Sequence, residues 1–309
     1  MADTIHLEIG GVEFSITNTS PVIFGEHDPA YRSFFKEGVE KGTGPDTIVI
    51  DVSLEIGEMP DLSNLERIFN SGQNWSMCKD GDIYWMIRQP PAFKKPFWAA
   101  RFNRALKEII VFCGEKLIRE EDGNKVLSNP IHYPLDQILI MYALSGREGL
   151  VIHSAGTEFH GKGFVFPGPS GAGKSTLTRL LQEAKRENPL SSMALLSDER
   201  MIVRKIAGRF RAYGTPWLGE AEIAQNKNMP LSAVFFLCHS KTNRVKEIAP
   251  RQALDRILKV TTIPWYDRDV MPEVLGLCED LISRVPLFEL HFTPGREVVK
   301  LLEEFDPAK

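Results

Sequence analysis

Hydrophobic and polar residues alternate along the start of the chain, which is the pattern of β-strands with one buried face. Ile5, Leu7 and Ile9 alternate with polar neighbours, Gly10 and Gly11 follow, and the alternation then resumes. Two such runs joined by a pair of glycines predict a β-hairpin, because glycine readily adopts the positive φ angles of a two-residue turn.

Further strand patterns follow in the first part of the chain. Residues 75–79 and 83–88 predict a second hairpin around Asp80-Gly81, and residues 47–52 and 108–113 predict two more strands. Residues 123–130 are polar and rich in turn-forming types, which is typical of a domain boundary. We therefore predict a mainly β domain over residues 1–128 and a second domain over 129–309.

The second part of the chain mixes strand and helix patterns. A helix is predicted to open at Pro134, and a final helix to begin at Pro294 with Thr293 as its N-cap. Between them we predict strands over 150–155, 162–167, 193–197, 231–238 and 287–292, a hairpin over 201–204 and 209–213, and helices over 175–186, 251–259 and 274–284.

Composition narrows the class of protein. The 309 residues are 43% hydrophobic and 25% charged with a net charge of −4, which is typical of a globular protein and argues against a general nucleic-acid binder. No apolar run is long enough for a membrane span, and no secretory signal is visible, so we expect a cytoplasmic protein. The isolated cysteines predict buried core residues rather than disulfides or metal ligands: Cys78, Cys113, Cys238 and Cys278.

One segment carries a specific motif for phosphate binding. It matches G-x-x-x-x-G-K-[ST] without a mismatch, after an apolar strand pattern and before a helical one. Glycines let the backbone approach a polyphosphate, and the start of the helix adds a favourable partial positive charge. The segment therefore predicts a nucleoside triphosphate site made of Gly168, Pro169, Ser170, Gly171, Ala172, Gly173, Lys174, Ser175 and Thr176. In such a loop Lys174 reaches the β- and γ-phosphates, and the Ser175 hydroxyl ligates Mg²⁺.

An acidic pair follows the next apolar strand pattern. Asp198 and Glu199 come directly after residues 193–197, where a P-loop fold places its second acidic group beside Mg²⁺. One carboxylate can accept a proton from an attacking hydroxyl while the other helps to hold the metal. An acidic turn in solvent is the alternative interpretation, which the preceding phosphate-binding motif disfavours.

Two other features have both structural and functional interpretations. His153 lies in an apolar strand pattern, where a single histidine is more often a packing residue. Residues 214–220 form a second glycine-bearing loop. This loop is either a structural turn with Trp217 packed inward or a segment that contacts substrate or nucleotide.

Residues from about 131 to 305 resemble the catalytic domain of the HPr serine kinase/phosphorylase family. The resemblance is carried by His153, by the loop in its G-x-S-G-x-G-K-S form, and by Asp198-Glu199-Arg200 after an apolar strand. It implies an α/β (α+β) fold similar to that of phosphoenolpyruvate carboxykinase, with a mixed sheet. It also implies ATP and Mg²⁺ as cofactors, a serine of a protein or peptide as acceptor, Asp198 as general base, and His153 as a group that tunes or relays the proton. Ser175, Asp198 and Glu199 would be the metal ligands.

The chain departs from that family at several points. Glu199 stands where the family has a second aspartate, the family's later glycine-rich signature is absent, and the first 130 residues differ. The chain is similar at least as closely to looser relatives that phosphorylate ribosomally made peptides. We predict an ATP-dependent serine kinase-like enzyme with no nucleic-acid or membrane partner, and leave self-association into a homo-oligomer open. Two alternatives are a small-metabolite kinase or carboxykinase-like enzyme, and a non-catalytic ATP-sensing module.

Overall fold

The structure is a computed structural model that describes residues 3–25, 28–36, 42 and 44–308. Contacts among these residues divide the chain into two compact units, Met1–Ala143 and Leu144–Lys309. The division falls at the end of the first α-helix, later than the boundary expected near residue 128, which stays a prediction. Each unit has a hydrophobic cluster of its own.

The first unit is built mainly of strands, as its alternating pattern predicts. Its elements are β1 Asp3–Ile9, β2 Val12–Asn18, β3 Ile23–Phe24, β4 Phe35–Lys36, β5 Ile48–Ile56, β6 Glu66–Asn70, β7 Trp75–Asp80, β8 Ile83–Arg88, β9 Trp98–Asn103, β10 Ile109–Cys113, β11 Ile118–Glu121, β12 Asn124–Leu127 and α1 Leu135–Leu144. In β5 the buried and exposed residues alternate over most of the strand, so one face packs into the core.

Nine of these strands form one sheet in the order β4-β1-β2-β5-β10-β9-β8-β7-β6. The β1–β2 hairpin is confirmed, with Ile9 opposite Val12 across the two glycines. The β7–β8 hairpin is confirmed as well, but its turn was predicted one residue too early. Because Asp80 pairs with Ile83, the turn residues are Gly81 and Asp82, and Gly81 has the positive φ of 57° that the turn needs.

The segment at 123–130, predicted as a polar boundary, contains structure of its own. It includes β12, which pairs with β11 and with β3 in a small three-stranded sheet. Val126 and Leu127 are buried in this sheet. The polar turn residues that suggested a linker are therefore partly the hairpin turn between β11 and β12.

The second unit combines strands with helices. Its elements are β13 Gly149–Phe159, β14 Lys162–Pro167, α2 Lys174–Glu187, β15 Ala194–Ser197, β16 Arg200–Ile206, β17 Arg209–Tyr213, β18 Asn228–His239, β19 Arg244–Glu247, α3 Pro250–Leu258, α4 Met271–Arg284, β20 Leu287–Phe292 and α5 Arg296–Glu304. The protein is thus a mixed α/β structure with five α-helices among its described residues. In that part of the chain no helix is both long and apolar enough to cross a membrane.

Two long strands organise the sheet of this unit. The second half of β13 pairs with β14 and β15, and its first half pairs with β16. Strand β18 pairs with β17 at its start, then with β14, and finally with β20, the last two in parallel. The sheet is therefore mixed, and β14, which leads to the phosphate-loop motif, lies between β13 and β18.

Helices α2 and α5 cover one face of this sheet. Their buried residues Leu177, Leu181, Val298 and Leu302 belong to one hydrophobic cluster with side chains of β14, β18 and β20. Phe235 lies among four other phenylalanine rings in this cluster, with centroids 5.2–5.7 Å away. The core thus fixes the strand and the helix on either side of the phosphate-loop motif.

One helix start was predicted wrongly. Helix α5 begins at Arg296 after Gly295, and no side chain caps it. Thr293 is not its N-cap, because the Thr293 hydroxyl donates to the Ser240 carbonyl oxygen at 2.8 Å instead. A tertiary hydrogen bond has replaced the local one that the sequence suggested.

Candidate nucleotide site

The segment 168–173 forms a compact loop between β14 and α2. Gly171 and Gly173 have φ angles of 82° and 100°, a region that residues with a side chain rarely adopt. The N–H of Gly168 donates to the His153 carbonyl oxygen at 3.2 Å, which fixes the beginning of the loop to β13. At the end of the loop no side chain caps α2. The first amides of the helix are therefore not satisfied by a capping side chain, as an anion site at a helix start requires.

Lys174 is the first residue of α2 and is buried. Its Nζ atom donates to the carbonyl oxygens of Gly168 and Pro169 at 2.8 and 3.2 Å, so it bends back across the loop. Burial lowers the pKa of Lys174 below its ordinary value, while the charges of Glu199 and Asp198 act in the opposite direction. The structure therefore brings the loop lysine and the acidic pair within electrostatic range of one another.

Asp198 follows β15 directly and is almost completely buried, with 1% of its surface exposed. Its carboxylate accepts three backbone N–H hydrogen bonds: from Gly219 at 3.1 Å, Ala221 at 2.6 Å and Ile223 at 3.2 Å. A carboxylate offers about four lone-pair positions, so most of its accepting capacity is used within the protein. In this structure Asp198 holds the loop at 219–223 in place.

Glu199 points to a different partner. Its Oε2 atom lies 3.4 Å from Nε2 of His153, and its side chain is 32% exposed. The hydrogen bond from His153 is the main cause that lowers the pKa of Glu199, and the charges of His153, Arg200 and Lys174 add to it, against burial. Glu199 is therefore ionised at neutral pH, close to the lysine and accessible from solvent.

The backbone explains why His153 and Glu199 meet. Strands β13 and β16 pair antiparallel with His153 opposite Arg200, and the N–H of Ser154 donates to the Glu199 carbonyl oxygen at 3.1 Å. The same strand β13 holds the start of the phosphate loop through the His153 carbonyl oxygen. One strand thus positions the histidine beside both the acidic pair and the loop.

The remaining residues of the predicted site line the loop and the first turn of α2. Pro169, Ser170 and Gly171 are exposed, while Ala172, Gly173, Ser175 and Thr176 are partly buried. The Ser175 and Thr176 side chains are thus neither fully buried nor fully exposed at the position where the motif expects a metal and a phosphate. The roles of these residues, and of Asp198 as general base, stay predictions.

Sequence reasoning missed two features of this region and left a third open. The hydrogen bonds from the loop at 219–223 to Asp198 join residues that are more than twenty positions apart, and no local pattern reveals them. Trp217 is buried, which supports the inward-packing interpretation of the second glycine-bearing loop. No motif singles out His239, whose Nε2 atom lies 3.4 Å from the Gly171 carbonyl oxygen.

Comparisons with known proteins add little to this geometry. No protein-family model matches the sequence. No curated protein matches it either. Among solved structures, the chain is similar to the Hpr(Ser) kinase/phosphatase from Coxiella burnetii, at 12% identity over 50% of this chain and 86% of that chain, with a TM-score of 0.28. A similarity at this TM-score carries no inference about function.

Proposed function

We propose that the second unit is an ATP- and Mg²⁺-dependent phosphotransferase that passes the γ-phosphoryl group to a hydroxyl, most specifically a serine of a protein or peptide. The observation that carries the proposal is the position of Lys174, buried at the start of α2 beside a loop with two left-handed glycines and within electrostatic range of the acidic pair. This arrangement combines phosphate binding with carboxylates for metal and proton handling.

The loop supports the binding of a triphosphate. Backbone amides from Ser170 to Thr176 and the start of α2 would meet the phosphate oxygens, and Lys174 would exchange its two carbonyl partners for the β- and γ-phosphates. The Lys174 pKa is lowered by burial. A bound polyanion would raise it again, because a nearby negative charge favours the ammonium form.

The donor set fits Mg²⁺, which prefers oxygen ligands. Ser175 offers a hydroxyl in the first turn of α2, and Glu199 offers an ionised carboxylate that is partly exposed. Asp198 fits less well in this structure, because three backbone amides already occupy its carboxylate. When bound, Mg²⁺ would neutralise phosphate charge during transfer.

Two assignments of the proton acceptor compete. The family resemblance implies Asp198, with His153 as a tuning or relaying group. The contact between His153 and Glu199 favours a different division of roles. In that division Glu199 orients the imidazole, which takes the hydroxyl proton, and Asp198 holds the loop at 219–223. A carboxylate that orients a histidine base is a recurring arrangement in proton transfer.

The class of acceptor and the carboxykinase-like arrangement of the fold come from the family resemblance. We accordingly include a seryl hydroxyl as acceptor in the proposal and test it directly.

The test uses the full chain, γ-labelled ATP, and separate protein and metabolite fractions of a cell lysate. We expect label in the protein fraction with the natural chain and none with Lys174→Ala, which should also lose ATP binding. Label only in the metabolite fraction would replace the acceptor class by a small molecule. Tight ATP binding without ADP release in any fraction would overturn the proposal in favour of an ATP-sensing module.

A further inference from the structure

Strands β18 and β20 bring three metal-binding side chains to one face of the sheet. The strands run parallel, with Cys238 opposite His291 and Phe236 opposite Glu289. Because side chains alternate along a strand, Cys238, Glu289 and His291 share a face. The other face carries Phe235, Leu290 and Phe292, which pack in the cluster beneath α2 and α5. The three side chains thus lie on the opposite side of the sheet from the helix that starts at Lys174.

The potential ligand atoms are close together. One atom from each residue (the thiol sulfur, an imidazole nitrogen and a carboxylate oxygen) lies within 4.8 Å of the other two. Nε2 of His291 is 3.1 Å from Oε2 of Glu289. All three side chains are half-buried. Within the part of the chain that the structure describes, this is the one group of three such residues with its ligand atoms so close.

These distances suit a small tetrahedral ion. With metal–ligand bonds of about 2.0–2.3 Å, tetrahedral zinc holds neighbouring ligand atoms roughly 3.3–3.5 Å apart. The Glu289–His291 pair is about 0.2 Å closer than that separation, and a movement of at most about 1.5 Å would bring the Cys238 sulfur to it. Thiolate, imidazole and carboxylate together select zinc and its neighbours over magnesium or calcium, which prefer oxygen ligands.

A positively charged neighbour orients one of the ligands. Arg256 of α3 donates to the Oε1 atom of Glu289 at 2.5 Å, while the Oε2 atom faces His291. Such a partner behind a ligating carboxylate fixes its orientation, as outer-shell partners do in known metal sites. The arginine also lies over the Phe236 ring on the same face, with its guanidinium carbon 5.5 Å from the centroid.

We propose that Cys238, Glu289 and His291 form a site for a divalent transition-metal ion of the Zn²⁺ class. Three protein ligands leave a fourth tetrahedral position for water or a small ligand, which is the composition of an open site rather than a closed structural one. This site is separate from the Mg²⁺ position of the proposed function, because it lies on the other face of the sheet and includes a thiolate.

The site adjoins the phosphate loop through the backbone. His239 and Phe292 are the next residues after Cys238 and His291, and they point to the other face. His239 contacts the Gly171 carbonyl oxygen, and a Cβ on Gly173 would lie 3.2 Å from the Phe292 ring. An ion held by Cys238 and His291 would therefore restrain the two strand ends that support the loop.

Titration of the purified full chain with Co²⁺ tests the proposal, because a cobalt–thiolate bond has a charge-transfer absorption that oxygen ligands lack. We expect this absorption to saturate at one equivalent and to disappear when Zn²⁺ is added. Cys238→Ser should abolish the thiolate absorption, and His291→Gln and Glu289→Gln should each weaken binding ~10-fold or more. Thermal unfolding establishes that each variant is folded.

Two substitutions serve as matched controls. Cys278→Ser changes a buried cysteine of the same unit, and His160→Gln removes an exposed histidine, so both should keep the absorption and its saturation point. Absence of a thiolate band in the natural chain would overturn the proposal. So would a band that survives in Cys238→Ser or disappears in Cys278→Ser.

Discussion

The Nε2 atom of His153 lies 3.4 Å from the Oε2 atom of Glu199, whereas the neighbouring carboxylate of Asp198 points to the backbone of residues 219–223. Adjacent residues in the chain thus have different surroundings. Asp198 is enclosed by amides, and Glu199 faces an imidazole and solvent. This separation makes the two carboxylates distinguishable by substitution.

Glu199→Gln should remove phosphoryl transfer and leave the fold intact. The glutamine keeps the size of the side chain but loses the charge that orients His153, so we expect kcat to fall by about 10²–10⁴-fold. ATP binding without Mg²⁺ should persist, because Lys174 and the loop are unchanged, whereas loss of the Glu199 carboxylate should reduce the strengthening of binding by Mg²⁺. ADP release and isothermal titration with ATP measure the two quantities.

Glu187→Gln is the control, since Glu187 lies at the other end of α2 in an exposed ion pair with Arg296. Full activity in Glu199→Gln would refute the proposed role of the His153–Glu199 pair.

Asp198→Asn should act mainly on stability. The amide can keep an accepting oxygen but cannot accept the N–H of Ala221 at its nitrogen, so we expect a loss of about 1–3 kcal/mol. Urea unfolding measures this loss, and hydrogen exchange should accelerate in residues 219–223. If Asp198→Asn retains stability and ATP binding but loses transfer, the sequence-based assignment of Asp198 as general base is correct instead.

Gly219→Ala should disturb the same contact from the opposite side. A Cβ at this position would lie 2.6 Å from Oδ2 and 2.9 Å from Cγ of Asp198, which are distances that require a movement. We expect lower stability and faster exchange of the loop at 219–223. Gly276→Ala, in α4 with open space around the added carbon, is the control and should stabilise slightly. Equal effects of the two substitutions would show that Asp198 tolerates displacement.

Phe235→Ala should destabilise the second unit by about 3–5 kcal/mol, because it empties the centre of the aromatic cluster. Peptide-resolved hydrogen exchange of β14 and β18 during urea unfolding measures the change. Leu190→Ala, at a position that is 97% exposed, should stay within about 0.5 kcal/mol of the natural chain. If Phe235→Ala lowered the free energy of unfolding by less than roughly 1 kcal/mol, its effect would be close to that of a surface substitution, and this description of the core would be contradicted.

The first unit should be sensitive to acid through Glu13. Burial raises the pKa of this fully buried carboxyl, but hydrogen bonds from Lys36 and Gly42 and the charges of Lys36 and His6 lower it to below its ordinary value of 4.5. The unfolded chain then binds the proton more tightly than the folded chain does. Ionised Glu13 therefore stabilises the fold above its ordinary pKa, and this stabilisation is lost as the pH falls through the lower, folded-state pKa.

Urea unfolding at neutral pH and at about pH 3.5, followed by exchange of β1 and β2 peptides, measures this loss. Glu13→Gln should make the stability of these strands less dependent on acid, whereas exposed Glu120→Gln in β11 should not. An unchanged acid dependence in Glu13→Gln would assign the sensitivity to other carboxyl groups.

The sequence predicted those parts of the structure that depend on neighbouring residues. The β1–β2 hairpin follows from alternation and a glycine pair, and the loop before α2 contains two glycines in the left-handed region where the motif needs them. Both features are local, because periodicity and backbone freedom act over a few residues.

Contacts between distant segments could not be predicted in this way. Asp198 meets the loop at 219–223, and Cys238 meets His291, only because strands far apart in the chain are neighbours in the sheet. A contact between distant segments can also replace a local one. The Thr293 hydroxyl, predicted to cap α5, instead donates a hydrogen bond to the Ser240 carbonyl oxygen. Three of the four cysteines are buried as predicted, whereas Cys238 is only partly buried.

Lys174 donates hydrogen bonds to the carbonyl oxygens of Gly168 and Pro169, so these two oxygens would compete with a bound phosphate for its ammonium group. A phosphate that recruits this ammonium must first displace two oxygens of the same chain, so a measured dissociation constant reports an exchange of partners rather than the strength of one contact. Modest affinity would consequently be compatible with a strong lysine–phosphate interaction.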